Sequence, residues 1–162
     1  MTKQETYAYL RAHGAAFEIS EHEAVFSMAD CAAAGLPYPQ DDAKNLFVRE
    51  DKRPVYFLLS VRPEKRVDLH EFRRLHGTRR LTFATAEEME ALLGVHPGAV
   101  TPLGLLNDRE HRVRFFLDRD FLRAPGRIGV HPNDNTATVW LQAEELLRLL
   151  REAGCQVDLT EL

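Results

Sequence analysis

Residues 44–61 read KNLFVREDKRPVYFLLSV, and this stretch decides the fold. Its two halves, Leu46–Arg49 and Val55–Val61, are rich in the bulky, branched and aromatic residues that suit the pleated surface of a sheet. Glu50-Asp51-Lys52-Arg53 between them is short and polar, so the chain is expected to fold back here as a hairpin. Further strand-like runs lie at Phe17–Ser20, Leu81–Phe83, Val113–Leu117, Thr136–Leu141 and Gln156–Leu159, and Asn107-Asp108-Arg109-Glu110 reads as a second hairpin turn.

Around these strands, four helix starts show the capping-box spacing, a small polar residue followed three positions later by an acid: Thr2/Glu5, Ser27/Asp30, Asp68/Glu71 and Thr85/Glu88. Gly14, Gly35, Gly77 and Gly94 fall where a left-handed cap would end each helix. A fifth helix is expected from about Gln142 to Ala153, with Leu146, Leu147, Leu149 and Leu150 as its apolar side and Gly154 as its stop. Strands interspersed with helices predict a mixed α/β (α+β) domain. No glycine-rich nucleotide loop, internal repeat or low-complexity linker interrupts the pattern.

At 162 residues the chain can bury one substantial core, and a single domain over 1–162 is expected. With 44% hydrophobic and 28% charged residues, and no apolar run long enough for a membrane span, it is expected to be soluble, and its polar, helix-like N-terminus points to the cytoplasm. Cys31 and Cys155 are far apart and outside any C-x-x-C pair, so neither a disulfide framework nor a thiolate zinc site is expected. Seven histidines without a close ligand spacing leave no metal and no cofactor predicted.

The net charge of −4 is unevenly placed. Lys44 to Arg80 holds eleven Lys/Arg against five Asp/Glu, hence +6, and the rest of the chain holds ten against twenty, hence −10. A basic middle in an acidic frame is compatible with a phosphate-bearing partner met by Arg73, Arg74, Arg79 and Arg80, and equally with a solvated surface.

Three segments look unlike scaffold: Asp41-Asp42-Ala43-Lys44-Asn45 entering a strong strand, the irregular loop from Gly94 to Gly104, and His131-Pro132-Asn133-Asp134-Asn135-Thr136-Ala137-Thr138. Together they supply a cation, backbone donors and an imidazole without an obvious nucleophile, a set suited to holding an ester rather than attacking it.

The segments KNLFVRE, GVHPGAVTPLGLLND and HPNDNTATV, in that order, resemble the signature of the YbaK/ProX superfamily of aminoacyl-tRNA editing domains, and within it most resemble the free-standing prolyl-tRNA editing branch, PrdX or ProXp-ala. The resemblance runs from EHEAVFSM to the closing helix. It implies a single YbaK-like domain, a mixed, largely antiparallel sheet flanked by helices, and hydrolysis of mischarged tRNA(Pro), above all Ala-tRNA(Pro). The family's active-site lysine falls on Lys44 and its adjacent asparagine on Asn45. The G-x-x-x-P loop that faces the terminal adenosine falls on Gly98 and Pro102, beside Thr101 and Gly104, and the pocket histidine falls on His131. The helix after Ser27 corresponds to a mobile cover. Phe26, Met28, Val100 and Leu103 are expected at the substrate pocket as well. Asn133-Asp134 departs from the less polar pair of many relatives.

The implied partners are mischarged tRNA(Pro) and prolyl-tRNA synthetase, with no membrane and no metal. Alternatives left open are a Cys-tRNA(Pro) deacylase of the YbaK type, a non-catalytic tRNA- or synthetase-binding module, and a small-molecule binder.

Overall fold

The computed structural model describes all 162 residues, the side chain of Met28 excepted, so the expectation for that side chain lies outside the described residues. The described residues form five α-helices, α1 (Lys3–Ala12), α2 (Met28–Ala33), α3 (Leu69–His76), α4 (Ala86–Leu93) and α5 (Ala143–Glu152). Eight strands accompany them: β1 (Glu18–Glu21), β2 (Lys44–Glu50), β3 (Tyr56–Val61), β4 (Leu81–Phe83), β5 (Val113–Asp118), β6 (Arg127–Val130), β7 (Ala137–Gln142) and β8 (Gln156–Thr160).

The helix starts follow the sequence. Thr2 and Thr85 accept from the N–H of Glu5 and Glu88, whose carboxylates reach back to the cap N–H, so α1 and α4 carry complete capping boxes. Ser27 and Asp68 cap α2 and α3 without the return bond, because the Asp30 carboxylate accepts from the Phe26 N–H and Glu71 turns to Arg74. Gly14, Gly35, Gly77 and Gly94 all sit at positive φ, the left-handed backbone that favours glycine.

The strands build two sheets. One has the order β4-β2-β3-β5-β8 and the other β1-β7-β6. The β2–β3 hairpin turns at residues 50–53, with Lys44 opposite Val61 and Asn45 opposite Ser60. β4 and the whole smaller sheet are antiparallel, whereas β5 runs parallel to β3 and β8 parallel to β5. The fold is thus the expected mixed α/β domain with a largely antiparallel sheet arrangement.

Two expectations are corrected. Residues 107–110 do not turn a hairpin: Pro102–Asn107 is a 3-10 turn, and β5 reaches β3 in parallel after the crossover through α3, β4 and α4, the long connection that parallel pairing demands. β6 had no signal, because it is four residues long and contains Gly129, a poor strand former. That glycine is needed for space, since a Cβ there would stand 2.3 Å from the Trp140 ring.

The main core lies between the sheets, where Phe47, Leu58, Phe115 and Leu117 of the larger sheet meet Ile128, Val130, Val139 and Leu141 of the smaller, closed by Leu146 and Leu150 of α5 and Leu10 of α1. The opposite face of the larger sheet packs Val48, Phe57, Leu59 and Phe116 against Phe72 of α3. The two sheets are joined just before β2, where Ala43 donates its N–H to the Gly129 carbonyl at 2.9 Å and Asp42 bridges to Gly129. Lys44 follows immediately, and the candidate site grows from this junction.

Candidate active site

Alternation along β2 puts Lys44 on the α3 face with Leu46 and Asn45 on the inter-sheet face with Phe47. The Lys44 ammonium donates to the Lys65 carbonyl. Standing at the strand end, Lys44 lines two cavities. The smaller, about 210 Å³, is walled by Val25, Phe26, Asp42, Gly98, Val100 and His131, with Ser27, Cys31, Ala43, Asn45 and Pro97 completing it.

Hydrogen bonds hold several polar groups in and behind this cavity. Asn45 donates its amide to the Val100 carbonyl at 3.2 Å and accepts from the Ser60 hydroxyl, so it fixes the 97–101 loop to the hairpin. Thr101 is fully buried. Its hydroxyl donates to the His131 carbonyl at 2.6 Å and accepts from the Leu103 N–H, which starts the 3-10 turn and ties the loop to the histidine. Gly98 is required for close approach: a Cβ would lie 2.9 Å from both the Asn135 amide nitrogen and the Phe26 ring. Asn135 in turn donates to the Val25 carbonyl at 2.8 Å. Phe26, 72% exposed, lies over this loop at the cavity mouth.

His131 places Nδ1 2.8 Å from the Ala137 carbonyl. A carbonyl only accepts, so Nδ1 carries the hydrogen and Nε2 of the neutral ring keeps a lone pair. Burial holds the imidazole below its usual pKa, against the Ala137 bond. At neutral pH the ring is an acceptor, not a cation.

Sequence reasoning passed over Asp42 as a site residue, although it stands within the stretch singled out before Lys44. It is 6% exposed and lines the cavity. Burial pushes its carboxyl up to about 6, against the Cys31 thiol and His22, which pull it down. Cys31, on α2, is pushed up to about 11 by burial and by Asp42, so it is a neutral thiol.

Not every expected pocket residue lines the cavity. Thr101, Pro102, Leu103 and Gly104 are buried outside it: Thr101 is tied to the His131 carbonyl, Leu103 belongs to the main core, and Gly104 faces Leu93 closely enough that a Cβ would stand 3.1 Å from it. A proline-led 3-10 turn turns these side chains inward, so the loop serves the pocket through Gly98 and Val100 and the core through Leu103.

The larger cavity, about 770 Å³, lies between α3 and the edge strand β4 on the other side of Lys44. Leu46, Val67, Leu69, Leu81 and Phe83 give it an apolar floor, and Arg66, Arg73 and Arg80, with Asp68 and His70 among them, a polar and mainly cationic rim. Of the four arginines expected at a phosphate patch, Arg73 and Arg80 therefore line one groove. Arg74 is bound to Glu71, and Arg79 is exposed, with its backbone N–H donated to Glu50.

Among the described residues no group of three or more His, Cys, Asp or Glu is placed to hold a metal ion, and no helix is long and apolar enough to cross a membrane.

The model of the aminoacyl-tRNA editing domain family matches residues 22–149. The chain is 30% identical over 148 residues to the prolyl-tRNA editing protein ProX of Acetoanaerobium sticklandii, covering 90% of this chain and 88% of that one. It is 32% identical over 159 residues to prolyl-tRNA synthetase associated domain-containing protein 1 of Xenopus laevis, covering 94% and 92%. A crystal structure of a proposed trans-editing enzyme for prolyl-tRNA synthetase superposes with a TM-score of 0.74 at 25% identity, covering 99% of this chain and 96% of that one.

Proposed function

We propose, since the chain belongs to the aminoacyl-tRNA editing domain family, that it is a deacylase hydrolysing the ester of mischarged tRNA(Pro), and that alanine is the amino acid it removes. The observation that carries the reading is the size and make-up of the smaller cavity: about 210 Å³, with one lysine at its rim, an acceptor imidazole in its wall and a glycine loop as its floor. An aminoacyl ester is already activated, so its hydrolysis asks for placement and charge stabilisation more than for a covalent nucleophile.

In this reading Lys44 leaves the Lys65 carbonyl to hold the 3′ end and the developing negative charge of the ester. Backbone N–H groups between Gly98 and Thr101 orient the carbonyl and ribose, Asn45 and Thr101 keep that loop in place, and Nε2 of His131 accepts a hydrogen bond from the attacking water or the ribose. Phe26 and Val100 bound the side-chain space. Arg73 and Arg80 meet tRNA phosphates along the groove, and the exposed Arg79, next to Arg80 in the chain, meets another outside it; Arg74, committed to Glu71, is assigned none. Residues 1–162 act as one editing domain, supported by α1, whose Tyr7 and Leu10 share the main core.

Discrimination follows a double sieve. A site that accepts proline rejects the smaller alanine by only ~1–3 kcal/mol per missing methylene, so a second and tighter cavity is needed to remove it. Prolyl-tRNA synthetase is the partner whose errors this chain would correct, in the cytoplasm. The test is a deacylation panel of the purified protein on tRNA(Pro) charged with Ala, Cys, Ser or Pro. Alanine is expected to be released fastest and proline left in place; preferential release of cysteine would move the chain to the other branch of the superfamily.

A further inference from the structure

Asp41 and Asp42 are adjacent, both buried, and treated oppositely by the fold. Asp41 has two guanidinium partners, Arg62 at 2.9 Å and Arg127 at 3.4 Å. Asp42, facing the smaller cavity, has no ion pair among the described residues. His22 is the imidazole that acts on it, but the two ring nitrogens of His22 are taken by the Glu23 carbonyl and the Thr138 hydroxyl. Lys44 donates to Lys65, His131 is neutral, and the Cys31 thiol is un-ionised. A carboxylate taken out of water without a counter-charge is costly, and groups of this kind in clefts cluster at functional sites.

We propose that the missing partner is the α-ammonium of the aminoacyl group, and that Asp42 is the specificity-determining residue by which the cavity admits free amino-acid esters and turns away N-blocked ones. The proposal rests on the deacylase reading above and adds the one contact it lacks. The substrate brings a single cation into a cavity whose lining otherwise offers one lysine, neutral polar groups and apolar walls; Asp42 is the only carboxylate in that lining. The ammonium then sits on Asp42 and the carbonyl turns toward Lys44, two residues along the chain and in the same lining. The bound ammonium also supplies the charge that keeps Asp42 ionised.

The test compares hydrolysis of Ala-tRNA(Pro) with N-acetyl-Ala-tRNA(Pro) by the unaltered protein, Asp42→Asn and Asp42→Glu. The amide of asparagine can still accept from Cys31 but carries no charge. Asp42→Asn is expected to raise KM for Ala-tRNA(Pro) by about 10–100-fold, the worth of a hydrogen bond to a charged group, and to lose the preference for the free amine, with Asp42→Glu restoring part of it. Unchanged KM and preference in Asp42→Asn overturn the proposal, as does an equal loss on both substrates with a lowered melting temperature, which marks a structural role. Should the unaltered protein hydrolyse neither, the deacylase reading fails by itself. Binding then decides the anchor, using an alanyl-adenosine with an amide in place of the ester against its lactyl counterpart, which has a hydroxyl in place of the ammonium. Tighter alanyl binding that vanishes in Asp42→Asn sustains the anchor, and equal binding of the two probes removes it.

Discussion

The two cavities that share Lys44 are built on opposite principles. The smaller has Asn45 and His131 locked by bonds to the Val100 and Ala137 carbonyls, with the buried Thr101 tying the loop behind them to His131, and leaves Asp42 without an ion pair among the described residues. The larger has an apolar floor and a rim of Arg66, Arg73 and Arg80, none of which forms an ion pair among the described residues. Locked groups pre-pay the ordering that a reaction centre needs, whereas free cations over an apolar floor attract a polyanion without fixing its register. The smaller cavity is suited to chemistry and the larger to holding, and Lys44 lines both.

The largest effect that would break this division is at Lys44 itself. Lys44→Ala is expected to lower the single-turnover rate on Ala-tRNA(Pro) by on the order of 10²–10³-fold with little change in melting temperature, since the side chain is half-exposed and belongs to neither core cluster. A near-normal rate would make it a surface lysine.

Next come the floors. Gly98→Ala drives a methyl group to 2.9 Å from Asn135 and Phe26. Phe26 is exposed and can swing away, but Asn135 is buried, so a loss of about 1–3 kcal/mol in urea unfolding is expected, as for other overpacked sites. Gly129→Ala, at 2.3 Å from Trp140, should cost more than Gly98→Ala. The reverse order would show that the 97–101 loop is as rigid as the sheet.

Asp42 sharpens the comparison through pH. Its pKa is raised from 3.8 to about 6 in the folded protein, so the fold holds that proton more tightly than the unfolded chain does. The stability linked to it is full below about pH 4 and lost as pH rises through about 6, by up to about 3 kcal/mol. Unfolding of Asp42→Asn followed against the unaltered protein from pH 4 to 8 should show the variant gaining relative stability across that window. A constant difference would mean that the carboxyl titrates normally.

The smallest effect is expected at Arg74→Gln. Its exposed pair with Glu71 on α3 is screened by solvent and adds little to stability, and neither tRNA affinity nor melting temperature should move measurably.

What the sequence made legible is what local chemistry decides. Caps at Thr2 and Thr85, positive-φ glycines and the 44–61 hairpin each announce themselves within a few residues. The parallel pairing of β5 with β3 is decided across more than fifty residues by core packing, so residues 107–110 looked like a hairpin turn. β6 carries a glycine because Trp140 of its partner strand β7 leaves no room for a Cβ at position 129, a contact that no local pattern carries. At the site, Lys44, Asn45, Gly98 and His131 were legible by resemblance, and they line one cavity together with Val100. Leu103 looked like pocket and is core, because the 3-10 turn after Thr101 points it inward. Asp42 was invisible as a site residue, for nothing in its neighbours' identities shows that Arg62 and Arg127 both go to Asp41.

The most direct measurement of the division between the two cavities is single-turnover hydrolysis of Ala-tRNA(Pro) over a protein concentration series at several salt concentrations, for the unaltered protein and for Arg73→Gln/Arg80→Gln. The account predicts that the double variant needs more protein to reach half of its limiting rate, and that its salt slope falls by roughly 0.9 per lost phosphate contact. A collapse of the limiting rate with unchanged half-saturation would place these arginines in the chemistry and contradict the division.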